Sequence, residues 1–165
     1  MKKKVIILCC VIITVLLALI VKDVFFTPLV INVKSVEISK PKLSLASYGV
    51  QTDNISMENT NVAVVSLEIY NPSLLKQYSL VDIKVYEKGN EEIILGNIID
   101  MGGESGLVGT IKPSSTRSCN NVTLLLSNKD ENYLLQEIAK IKFVATGIIF
   151  GKRQIISMPF SLSIN

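Results

Sequence analysis

The chain has 165 residues, of which 48% are hydrophobic, 19% are charged and none is His or Trp. That length holds one domain rather than two. The mean hydropathy of +0.43 argues against a chain disordered throughout, because there is enough apolar surface to form a core. The lack of His removes the commonest metal ligand and the commonest general base, so any chemistry would fall to carboxylates, Lys or Cys.

The formal charge of +3 is concentrated at one end. Lys2, Lys3, Lys4 and Lys22, set against Asp23, carry all of it, and residues 24–165 hold 13 basic and 13 acidic side chains. That stretch has no Lys/Arg block of the kind that neutralises phosphates, so no nucleic-acid partner is expected.

Residues 1–4 read as a short basic stub, expected on the cytoplasmic side. Val5 to Val21 is an uncharged run of 17 residues, about 26 Å long as a helix. It lies at the short end of the membrane-spanning range. A cleaved signal peptide wants a shorter apolar run and small residues before the cut, whereas Ala18 is followed by Leu19-Ile20-Val21-Lys22. A lipoprotein signal ending at Cys9 or Cys10 would leave too short a run, with bulky Leu8 where a small residue is needed. An uncleaved signal anchor fits best, with membrane lipids as its partner. The three leading lysines place the N-terminus on the cytoplasmic side. Residues 22–34 read as a juxtamembrane linker, in which Phe25 and Phe26 suit the membrane interface.

Cys9 and Cys10 lie one turn inside the span, as small apolar residues or as S-acylation sites. Cys119 is the only Cys beyond the span, so it has no disulfide partner on that side. It reads as a packed thiol rather than a nucleophile, since no His exists to activate it.

After residue 28 the apolar residues recur with period two. Val36-Glu37-Ile38-Ser39 alternates, and the pattern resumes at Leu43 and Leu45. Residues 47–61 are polar and read as a loop. Ala63, Val65, Leu67 and Ile69 form the clearest strand, which must break at Asn71-Pro72-Ser73 because Pro cannot donate a ladder bond. Val81, Ile83 and Val85, the turn Lys88-Gly89-Asn90 and the return at Ile93-Ile94-Leu95 predict a hairpin. Gly96, Gly102, Gly103, Gly106 and Gly109 mark an irregular stretch, with a short strand at Leu107, Val108 and Ile111. Pro113-Ser114-Ser115-Thr116 is a further loop, and Val122, Leu124 and Leu126 another strand. Leu134, Leu135 and Ile138 have helical spacing, after Asn128 or Asp130 as a cap. Residues 141–150 and 154–164 predict two last strands about Gly151-Lys152-Arg153.

Seven or eight short strands without strand–helix alternation predict an antiparallel β-sandwich with one short helix, residues 35–165 forming its domain. The candidate chemistry is thin. Glu91-Glu92 and Asp130-Glu131 read as solvated turn charges. Met101-Gly102-Gly103-Glu104-Ser105-Gly106 lacks the helix and the Gly-Lys ending of a phosphate cradle. Asp53 and Asp100 lack calcium-loop spacing. No catalytic residue, metal site or cofactor is expected. Asn54 and Asn121 open N-glycosylation sequons, while Asn71-Pro72-Ser73 is excluded by its proline.

Several stretches, in order, resemble a known family. Phe25-Phe26-Thr27-Pro28-Leu29-Val30-Ile31 leads into Ser35-Val36-Glu37-Ile38. Val65 to Tyr70 runs into Asn71-Pro72-Ser73. Pro113-Ser114-Ser115-Thr116 precedes Val122-Thr123-Leu124, and Gly147-Ile148-Ile149-Phe150-Gly151-Lys152 closes the set. Together, over about residues 20–164, they resemble the subgroup-two late embryogenesis abundant proteins. That family includes plant membrane-anchored relatives called harpin-induced-like or non-race-specific-disease-resistance-like. The resemblance implies a fibronectin-type-III-like (immunoglobulin-like) sandwich, no catalytic centre, and a role in desiccation or defence responses at membranes, with Asn71, Pro72 and Ser73 as signature positions.

The expected function is therefore non-enzymatic: a single-pass protein of the plasma membrane or another secretory-pathway membrane, working through lipid or an unidentified protein partner. Val62, Val64 and Leu125 are the apolar residues expected to face outward for that contact. The rival expectations are a lipid-binding or lipid-transfer sandwich and an enzyme using Cys119 or a carboxylate pair.

Overall fold

A computed structural model describes residues 2–42, 56–87, 93–95, 99–100 and 109–163. Helix α1 (Lys2–Phe26) carries apolar side chains on all sides, and those from Val5 to Val21 are exposed. A helix that is greasy all round and uncovered by protein suits lipid rather than water. Among the described residues it is long and apolar enough to cross a membrane, as a signal sequence near an N-terminus also would be.

The strands form two antiparallel sheets. In the first, β1 (Val30–Ser39), β2 (Thr60–Tyr70), β6 (Thr116–Ser127) and β4 (Ile99–Asp100) lie in the spatial order β1-β2-β6-β4. In the second, β5 (Gly109–Ile111), β3 (Tyr78–Glu87), β7 (Lys142–Ile149) and β8 (Lys152–Ile155) lie in the order β5-β3-β7-β8, and β9 (Phe160–Ser161) also pairs with β7. Helix α2 (Glu131–Lys140) links β6 of one sheet to β7 of the other.

The alternation read from β2 is realised. Ala63, Val65, Leu67 and Ile69 are all buried, opposite Leu124, Val122, Cys119 and Arg117 of β6. Tyr78, Val81, Ile83, Phe143 and Ala145 of the other sheet complete one continuous core, with Leu134 and Ile138 of α2 closing it. These side chains fill the space between the sheets.

Several expectations are corrected. The residues read as a linker, 22–34, divide between the last turn of α1 and the start of β1, because β1 begins pairing at Val30, opposite Tyr70. The hairpin expected after β3 does not form. Ile94 bridges Leu126, and the Leu95 amide donates to the Leu125 carbonyl at 2.9 Å. The chain thus crosses to the first sheet and buries Ile93 in the core. Alternation says that a segment is a strand but not which strand it joins. Val62 and Leu125 do not face solvent. They are 2% and 1% exposed and form a second small cluster with Val64 and Leu95 on the other face of the first sheet. The segment that left the hairpin is what covers them.

Two local predictions resolve into geometry. The α2 cap is Asp130, whose carboxylate accepts from the Asn132 and Tyr133 amides at 3.0 and 3.2 Å; Asn128 instead accepts from Lys40 at 2.8 Å. The closing turn is Phe150-Gly151, one residue earlier than read, with φ of +50° and +76°. Two successive positive φ values are the twist that joins antiparallel strands in a two-residue turn, and Gly151 takes one of them without strain. The expected strand at Leu43 and Leu45, the turn 88–90, Glu91-Glu92, residues 101–108, Asp53 and Asn54 lie outside the described residues.

Candidate functional site

The densest polar network described lies where α1 meets the sandwich. Asn71 is fully buried at the end of β2. Its Oδ1 accepts from the Ser73 amide at 3.1 Å, and its Nδ2 donates to the carbonyls of Lys76 and Lys112 at 2.8 and 3.0 Å. Its own amide donates to the Ser115 carbonyl at 2.9 Å. One Asn thereby supplies the bonds that the ladder loses when Pro72 removes a donor. It also ties the loop 71–76 to the Pro113–Thr116 loop, where the Ser114 amide reaches the Ser73 carbonyl at 2.9 Å.

The loop so fixed grips the helix. Ser73 Oγ donates to Asp23 Oδ2 at 2.7 Å, and the amides of Leu74 and Leu75 donate to the same carboxylate, each at 3.0 Å. Ser73 Oγ in turn accepts from the Lys76 amide at 2.8 Å. Asp23 is thus held by one hydroxyl and two amides, like an anion in a nest of backbone N–H groups. Beside it, Lys76 Nζ and the Tyr78 hydroxyl both donate to the Thr27 carbonyl, at 2.7 and 2.6 Å. The ammonium lies 4.8 Å from the Tyr78 ring centroid, a cation–π distance. The exit of the chain from α1 is therefore fixed by two elements.

Burial governs the electrostatics. Lys76 is only 6% exposed, and desolvation lowers its pKa against the opposing pull of the Asp23 charge. Desolvation, reinforced by Asp23, pushes the Tyr78 hydroxyl up to about 12. Both shifts favour the neutral form, as expected for groups taken out of water.

A groove of about 500 Å³ opens next to this network, between the end of α1 and the β7–β8 hairpin. Phe25, Phe26, Tyr78, Phe150, Ile156 and Met158 are among its walls. Phe25 and Phe150 meet with ring centroids 6.2 Å apart.

The residues singled out from the sequence fall in different places. Asn71, Pro72 and Ser73 belong to the clamp. Cys9 and Cys10 are exposed on α1, and Cys119 is a buried core thiol, 4% exposed. Asn121 lies on β6. Asp130 is occupied as a helix cap. Asp23, Thr27, Lys76 and Tyr78 were not foreseen. One signal was available: an acid two residues past the end of a 17-residue apolar run needs donors if it stays near lipid. Among the described residues no three His, Cys, Asp or Glu side chains gather as a metal site.

Comparison of the chain with protein-family models, with curated proteins and with solved structures finds no match in any of the three.

Proposed function

We propose that this is a non-enzymatic, single-pass membrane protein that holds a β-sandwich at a fixed pose on the end of its membrane helix and works by contact. The observation that carries this reading is the Asp23 clamp. A sandwich on a slack tether would have no need to bind the last helical turn through Ser73, Leu74 and Leu75. The apolar, exposed surface of α1 supports the anchor, and Lys3 and Lys4 ahead of it support a cytoplasmic N-terminus. The burial of Cys119 and the absence of His support a role without covalent or acid–base chemistry. The ordered resemblance of the strand and loop motifs supports assigning that contact to a desiccation or defence response.

The test is made on membranes carrying the full chain. Alkaline carbonate should leave the protein in the pellet. Added protease should spare the sandwich in sealed vesicles of secretory orientation and digest it once they are opened. A glycosidase shift that an Asn54→Gln, Asn121→Gln double variant abolishes would report the same side. Release by carbonate, or digestion in sealed vesicles, would refute the reading.

A further inference from the structure

The face of the sandwich nearest α1 is apolar and exposed. Leu74 and Phe150 are 73% and 75% exposed, and Leu75 and Met158 are also bare. These side chains come from separate segments that converge on the last turn of one helix. The amides of Leu74 and Leu75 bind Asp23, so their loop sits at the level of that residue. The tip of the β7–β8 hairpin comes down beside the same turn, where Phe150 meets Phe25. Lys22 and Lys152 are exposed around this ring of apolar tips.

Length says what covers it. The uncharged run of 17 residues spans about 26 Å, short of the ~30 Å hydrocarbon core of a typical bilayer. Yet α1 continues without a break through Phe26. Counted from Val5 to Phe26, the helix covers about 33 Å, enough to fill the core and enter the interface. A span that fills the core therefore carries Val24, Phe25 and Phe26 into the interface, together with every side chain level with them. Asp23 would be costly in that thinly hydrated layer, and its three donors from the sandwich offset the cost.

We propose that the base of the sandwich is seated in the lipid leaflet at which α1 ends. Leu74, Leu75 and Phe150 enter the interface beside Phe25 and Phe26, while Lys22 and Lys152 reach the phosphates. The occupant is the phospholipid of the membrane that α1 crosses, because the exposed apolar face is continuous with the helix's own lipid-facing surface. The inference rests on reading α1 as a membrane span. It adds that the sandwich lies on the bilayer instead of standing clear of it, as interfacial elements do with apolar side chains ~5–10 Å deep. The clamp then serves to hold this seat.

The chain lacks Trp, so a single introduced Trp reports one position. The full-length variants Leu16→Trp, Leu74→Trp, Phe150→Trp and Tyr133→Trp are each placed in phosphatidylcholine nanodiscs, with and without lipid brominated at shallow or deep acyl positions. Tyr133, on α2 at the opposite end of the sandwich, is the aqueous control. Leu74→Trp and Phe150→Trp should emit to the blue of Tyr133→Trp and lose most of their emission to shallow-brominated lipid. Leu16→Trp should be quenched most by the deep label. If Leu16→Trp is quenched but Leu74→Trp and Phe150→Trp behave like the control, the seat is overturned and the span stands. If Leu16→Trp is not quenched, the span itself fails. A blue shift at Leu74 and Phe150 without lipid quenching would overturn the seat too, assigning the face to protein, and to a second copy if the shift grows with protein-to-lipid ratio.

Discussion

Ser73 Oγ donates to the Asp23 carboxylate at 2.7 Å, joining a loop of the sandwich to the last turn of a helix 50 residues earlier in the chain. The same hydroxyl accepts from the Lys76 amide at 2.8 Å, so it serves the helix and its own loop at once. Removing it in Ser73→Ala leaves a buried amide and one side of the carboxylate without that partner. Leaving the buried Lys76 amide unsatisfied costs about 1–3 kcal/mol, and the variant should lose about that much stability. Denaturant midpoints of the full chain in detergent micelles measure it. A spin label on the sandwich should also become more mobile relative to one on α1. A Ser73→Thr variant, which keeps the hydroxyl, should recover much of the loss.

Asn71 is the stricter position. It has no exposed surface and meets two carbonyls with its amide group while accepting one amide. Asn71→Ala should cost on the order of 3 kcal/mol, because several buried partners are left unmatched. Asn71→Asp should be worse than its near-identical size suggests, since it sets a carboxylate against the Lys76 and Lys112 carbonyls. Thermal unfolding of the two variants side by side checks the order. Asp equal to the wild type would contradict the assigned bonding.

Leu125→Lys distinguishes a core position from a contact position. Leu125 is 1% exposed and packs on Val62, so the substitution buries an unpaired ammonium. It should lower the melting temperature of the purified protein without any partner present. An unchanged melting temperature would return Val62 and Leu125 to the surface role that their sequence positions suggest.

Tyr78 should titrate above the ordinary tyrosine value. Its hydroxyl is raised to about 12 by desolvation and by Asp23, above the ordinary value near 10. The folded state therefore holds this proton more tightly than the unfolded chain does. The stability it contributes is intact below about pH 10 and is lost as pH rises through about 12. Tyrosinate absorbance followed upward in pH should show a late step that Tyr78→Phe removes. Lys76 works in the opposite direction. Desolvation lowers its pKa, so its buried charge costs stability below its folded pKa and that cost is relieved as pH rises.

Asp130→Ala removes the α2 cap and leaves the Asn132 and Tyr133 amides without it. The expected cost is about 1 kcal/mol. Asn128→Ala should spare α2, because Asn128 bonds Lys40 rather than the helix. Far-UV circular dichroism during thermal unfolding separates the two.

The pattern of single elements was legible because it is local. Period two along Ala63–Ile69 and the 3.6-residue spacing of Leu134 and Ile138 are set by which side chains must leave water. The apolar run was equally plain, as was the break at Pro72. Partners were not legible. The return segment at 93–95 reads as the second arm of a hairpin, yet it pairs with β6 and covers Val62 and Leu125. Those two residues look outward until that cover is placed.

By itself the sequence determined a greasy leader, a neutral strand-rich body, a strand stop at Asn71-Pro72 and a body without histidine chemistry, since composition, charge and period are properties of neighbours in the chain. Only the tertiary structure decided that Asp23, Ser73, Lys76 and Tyr78 form one clamp, and that Leu74 and Phe150 share a face with Phe25. Those pairings join residues tens of positions apart, and they come close only when two sheets fold over a common core.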